Sequence, residues 1–120
     1  MWVWSQGDGI LSKDGKERAK GYSGNSLGKN NPLMDSVKNM GPIPRGLWRI
    51  DAPRDTDEHG PYVLGLTPFG ETDTKGRGGF LIHGDSKSNP GEASKGCIIV
   101  GRKVREEIWQ SGDHSLEVVI

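Results

Sequence analysis

Glycine breaks this chain into short pieces. It occurs 19 times in 120 residues and is the commonest residue. Inside a helix or strand each glycine costs roughly 0.5–1 kcal/mol relative to alanine, so long helices are disfavoured and short elements joined by tight turns are expected. With 32% hydrophobic residues, the chain has material for one modest core, and residues 1–120 read as a single domain.

Taken in order, Met1–Ser5 alternates Trp with smaller residues and reads as a strand. Gly7-Asp8-Gly9 turns the chain into Ile10-Leu11-Ser12, and Asp14-Gly15 is a hairpin signal with Lys16–Tyr22 as the return strand, its charges facing solvent. Gly21–Asn31 reads as an exposed polar loop. Gly21-Tyr22-Ser23-Gly24 lacks the spacing of a Gly-x-Ser-x-Gly nucleophile elbow, which leaves Ser23 a loop serine. Asn31-Pro32 would cap a helical turn running through Asp35 to Lys38. Gly41-Pro42-Ile43-Pro44-Arg45-Gly46 is a rigid turn, followed by strands at Leu47–Ile50, Tyr62–Thr67, Phe80–His83 and Ser115–Ile120. Arg102–Gln110 is the convincing helix, N-capped by Gly101, with Val104, Ile108 and Trp109 on one side and Arg, Lys and Glu on the other. About seven short strands and one or two short helices make a mainly β fold, a sandwich or open barrel.

Several function classes drop out. Sixteen basic and sixteen acidic side chains give zero formal charge, without the basic excess of a nucleic-acid partner. No apolar run approaches the roughly eighteen residues of a membrane span, and the N-terminal stretch has neither the basic nor the apolar region of a secretory signal. Asp55-x-Asp57-x-x-Gly60 imitates half a calcium loop, but His59 and Leu66 stand where it needs oxygen ligands. One Cys and three scattered His give no zinc spacing, so neither metal nor cofactor is expected. Gly76-Arg77-Gly78-Gly79 lacks the helix a phosphate cradle requires. His59 and His114, in Glu-His-Gly and Asp-His-Ser contexts, read as exposed.

What remains is Phe80–Val100. Its single cysteine, Cys97, and His83 are separated by thirteen residues, and each has glycine beside it and an apolar run on its flank. A free thiol has a pKa of about 8.5, and an imidazole neighbour both activates it and carries its proton to a leaving amine. Gly96-Cys97 suits a turn whose backbone N–H groups face a developing oxyanion, and Ser94 suits bracing that turn. The alternative is a buried cysteine and a core histidine with no chemistry between them.

Ile82-His83-Gly84 with Ser94-Lys95-Gly96-Cys97-Ile98 resembles the catalytic signature of the L,D-transpeptidase (YkuD-like) domain, a His-Gly followed by Ser/Thr-His-Gly-Cys. Gly41–Ile50 resembles the segment preceding that site. Together with Gly21-Tyr22-Ser23-Gly24 and Lys29-Asn30-Asn31-Pro32, it is similar to the Tlde1 group, short toxins delivered by type VI secretion into the periplasm of rival bacteria. The resemblance implies an L,D-transpeptidase-like β fold and a peptidoglycan stem-peptide substrate. It implies Cys97 as nucleophile and His83 as base and acid, with Gly84, Ser94 and Gly96 shaping the site and Tyr22, Ser23 and Lys95 meeting substrate. Its reaction is removal or exchange of the terminal D-alanine of a tetrapeptide stem. Its partners are the secretion machinery and a cognate immunity protein. Lys95 stands where the wider family has a second histidine, which keeps open a catalytically idle wall-binding module of the same fold.

Overall fold

The computed structural model describes residues 1–120. Trp2–Ser5 (β1) pairs antiparallel with Ile10–Lys13 (β2), and Lys16–Lys20 (β3) folds back onto β2. Asp14 and Gly15 between them have φ of 53° and 77°, the left-handed pair that a twisted two-residue hairpin needs. The exposed charges of β3 protect the free edge it forms. After Gly21 come Tyr22–Ser23 (β4) and two single 3₁₀ turns, Ser26–Gly28 and Pro32–Met34. Asn31 starts the second turn, its side chain accepting from the Leu33 N–H at 3.1 Å. Then follow Gly46–Ile50 (β5), Arg54–Thr56 (β6), Gly60–Phe69 (β7), Leu81–His83 (β8), Ile98–Ile99 (β9), Arg102–Gln110 (α1) and Ser115–Val119 (β10).

The strands follow one path, β3-β2-β1-β10-β5-β7-β8-β9-β4, with β6 paired to β7 beside it. Two neighbours are parallel, β1 with β10 and β8 with β9. The ends of the path, β3 and β4, are consecutive in the chain with only Gly21 between them. The sheet must curl until its ends meet, which makes a mainly β open barrel. Gly21 is the seam: its N–H donates to Gly9 at 2.8 Å, and a Cβ there would lie 1.9 Å from the Ile99 carbonyl oxygen.

Fifteen buried side chains form one core. The alternation of β1 sends Trp2 and Trp4 inward beside Leu116 and Val118 of β10. Trp48 from β5 meets Phe80 edge-on, ring centroids 5.2 Å apart at 74°. Each buried tryptophan removes enough apolar surface to contribute at most about 4–6 kcal/mol. Ile108 closes the core from α1.

The structure departs from the sequence reading in four places. Ten strands form rather than seven, because β4, β6 and β9 are two or three residues long and display no alternation. The expected exposed loop at 21–31 contains β4, whose Ser23 is fully buried. The helical turn is confined to Pro32–Met34 and stops before Asp35. On α1, Arg105 joins the buried face instead of the solvent face.

Candidate active site

β8 and β9 bring the two chemistry-bearing residues together. Their parallel register sets Ile82 beside Ile98 and His83 beside Ile99, so Cys97, one residue ahead of β9, lies level with Leu81. The two-residue alternation puts Leu81, His83, Cys97 and Ile99 on one face and sends Ile82, Ile98 and Val100 into the core. Cys97 and His83 are thus diagonal neighbours, about 8 Å apart along the backbone from the spacing and rise of strands. Both line one cleft of about 1070 Å³.

His83 is 2% exposed. Its Nδ1 is 2.8 Å from the Gly84 carbonyl oxygen, and a carbonyl can only accept, so Nδ1 carries the proton and Nε2 is the free lone pair. Nε2 is buried and has no hydrogen-bond partner. Burial pushes the imidazole pKa down. The Gly84 bond and Asp85 oppose this, while His59 and Arg105 reinforce it. The half-buried thiol of Cys97 contacts the Gly79 carbonyl at 3.8 Å. Burial pushes its pKa up and the charge of Glu58 adds to that, against a bond from the Leu81 backbone and the charge of Arg77. The resting pair is therefore a neutral thiol and a neutral imidazole without a hydrogen bond between them, the arrangement a general-base mechanism starts from.

The turn before Cys97 is pinned from several sides. The Ser94 hydroxyl accepts from the Gly24 and Gly96 N–H groups at 2.8 and 3.0 Å and donates to the Cys97 carbonyl at 2.6 Å. Ser23 donates to the Gly96 carbonyl at 2.7 Å and accepts from the Ile43 N–H at 2.9 Å. Gly96 has φ +138°, and a Cβ there would sit 2.6 Å from the Arg77 guanidinium and 2.8 Å from the Phe80 ring. The Gly96 N–H is thus committed to the Ser94 hydroxyl. The Cys97 N–H takes part in none of the turn and loop backbone bonds.

Ser23 is likewise not a surface group: buried with its hydroxyl fully used, it supports the turn from behind. Tyr22 holds the loop after His83, its hydroxyl donating to Asp85 at 2.5 Å and accepting from the Ala93 N–H at 2.9 Å. Burial and the Asp85 carboxylate push the phenol pKa up to about 12. Lys95 is exposed and lines the cleft. Gly84 packs under Arg105, whose guanidinium a Cβ would approach to 3.0 Å.

Three cleft residues lie outside the sequence reading. Arg77 donates to the carbonyls of Asp35, Gly41, Pro42 and Lys95 at 2.7–3.1 Å. Arg105 donates to those of Tyr62, Val100 and Pro61 at 2.6–3.2 Å. Burial lowers the pKa of both, yet guanidinium stays charged. The Gly-Arg-Gly run around Arg77 was visible, but it was weighed only as a phosphate cradle and set aside, so the carbonyls that Arg77 binds went unseen. His59 is the third: expected exposed, it instead stacks on His83 with ring centroids 4.2 Å apart. His114 stacks on Trp109, away from the cleft.

Six of the lining residues are Lys or Arg and three are Asp or Glu, so the cleft is positive in a chain of zero formal charge. Such a cleft favours an anionic ligand. No three His, Cys, Asp or Glu side chains converge as a metal-ligand set, and no helix is long and apolar enough to cross a membrane.

No curated protein matches the chain, and no solved structure does. A family model described as the Tlde1 domain matches residues 17–119, from β3 through β10 and therefore across the entire cleft. By that match the chain belongs to the Tlde1 domain family.

Proposed function

We propose that this protein is a cysteine-dependent L,D-carboxypeptidase or D-amino-acid exchange enzyme acting on peptidoglycan tetrapeptide stems. The observation that carries the reading is the placement of Cys97 and His83 on one face of adjacent parallel strands, in one cleft, with Nδ1 tethered and Nε2 free. The positive lining supports it, because stem peptides carry carboxylates, and so does the resemblance of the His-Gly and Ser-x-Gly-Cys segments to L,D-transpeptidases.

As substrate enters, Nε2 of His83 takes the Cys97 proton while Sγ attacks the carbonyl carbon of the third stem residue. The Cys97 N–H, which takes part in none of the turn and loop backbone bonds, donates to the oxyanion. Collapse breaks the C–N bond to the terminal D-alanine, and His83 returns its proton to the departing amine. The thioester is then opened by water, with His83 taking the water proton and the thiolate leaving, or by the amine of a free D-amino acid. Lys95 takes part in none of the ion pairs of the chain, and we assign it to the terminal carboxylate of the stem.

Membership of the Tlde1 family supports a toxin carried by type VI secretion, acting in the periplasm of target cells, with an immunity protein that covers this cleft. The single core supports treating residues 1–120 as one catalytic domain. The test is Cys97→Ala incubated with tetrapeptide muropeptides: the wild type should release D-alanine and the folded variant should release none. Equal release by both would sink the reading. Binding to sacculi by a wild type that releases nothing would favour the idle wall-binding module.

A further inference from the structure

The geometry points to His59 as a positioning residue for His83: stacked on the base from the tip of the β6–β7 hairpin, its ring fixes the orientation of the catalytic imidazole. The proposal rests on the reading of His83 as the base. An imidazole tethered at one nitrogen can still pivot about that bond. Nδ1 of His83 is held by Gly84, but Nε2 has no partner to stop such a pivot. A restraint on the ring is a contact on its face, and His59 supplies one at 4.2 Å between centroids and 30° between planes.

The clamp is itself anchored. The His59 N–H donates to the Thr56 hydroxyl at 2.9 Å across the hairpin turn. The Tyr62 N–H donates to Asp55 at 3.1 Å just below it, and Gly60 between them takes φ +79° to make the turn. β6 has no partner other than β7. A hairpin tip attached this way presents a ring to the cleft without belonging to the core.

Stacking also has an electrostatic consequence, since two imidazoles in contact resist being charged together. The charged or titratable neighbours of the pair are Arg105 from α1, Asp85 after β8 and Glu58 beside His59. Among them His59 is the one whose ring lies on the base.

The test compares wild type, His59→Ala and His59→Phe in the full chain, reading D-alanine release from tetrapeptide muropeptides and, without substrate, the His83 titration by side-chain NMR. H59A should lose roughly ten- to a hundredfold in kcat, the scale of a misplaced catalytic group, with KM and melting temperature little changed. H59F, which keeps a flat ring, should restore most of that loss. In H59A the His83 midpoint should move up, because a desolvating and like-charged neighbour is gone. Equal kcat in all three proteins overturns the proposal, and so does an H59F as impaired as H59A. If even the wild type releases no D-alanine, the functional reading fails by itself. The NMR arm still decides the clamp, and an unmoved His83 midpoint in H59A then overturns it.

Discussion

Burial acts on Cys97 and His83 in opposite directions, and both shifts favour the uncharged pair. Protonated His83 cannot accept the thiol proton, so kcat/KM should rise with pH through a midpoint below the ordinary histidine value of about 6.5. It should fall only above the ordinary cysteine value of about 8.5, where the proton needed by the leaving amine is lost. A pH–rate profile measured on tetrapeptide muropeptides checks this. A preformed thiolate–imidazolium pair would instead place the alkaline limb near histidine's range and the acid limb below it. Ser94→Ala removes three hydrogen bonds at once and leaves two buried N–H groups unpaired. The expected loss is about 2–4 kcal/mol in urea unfolding. At this scale the sequence was informative about Cys97 and His83, whose glycine neighbours and apolar flanks are local. It misread His59 as exposed, because a stacking partner twenty-four residues away leaves no local mark.

The loops around the cleft are joined by buried cations rather than by regular structure. Arg77 ties the residue 35 turn, the Gly-Pro-Ile-Pro turn and the turn before Cys97 through their carbonyls. Replacing it by leucine strands those acceptors. Arg77→Leu should cost about 3 kcal/mol or more and raise the rate of Cys97 alkylation by iodoacetamide as the turn loosens. An unchanged alkylation rate with normal stability would contradict this role. Strands with turn residues at their ends, such as β2 and β3 around Asp14-Gly15, were legible beforehand. β4, β6 and β9 were not, because a strand of two or three residues is defined by its partners. Arg105 went unrecognised for a related reason: helical periodicity marks it polar, and only the carbonyls of Pro61, Tyr62 and Val100 make its burial tolerable.

Across the whole molecule, closure of the sheet depends on one residue without a side chain. Gly21→Ala forces a methyl against the Ile99 carbonyl, so β4 must leave β9 or the seam must widen. The variant should melt at a lower temperature and expose Cys97 to thiol reagents, while the far-side hairpins keep their circular dichroism. A melting temperature equal to wild type would show the seam to be slack. The same closure sets an order of events. β1, β2 and β3 pair through short turns and gain their contacts early, whereas β9 must find β8 across a fourteen-residue loop and β4 across most of the chain. The strand that follows Cys97 is therefore among the last to dock. A molecule still folding has its thiol but not the cleft, which is assembled only when the two ends of its sheet have met.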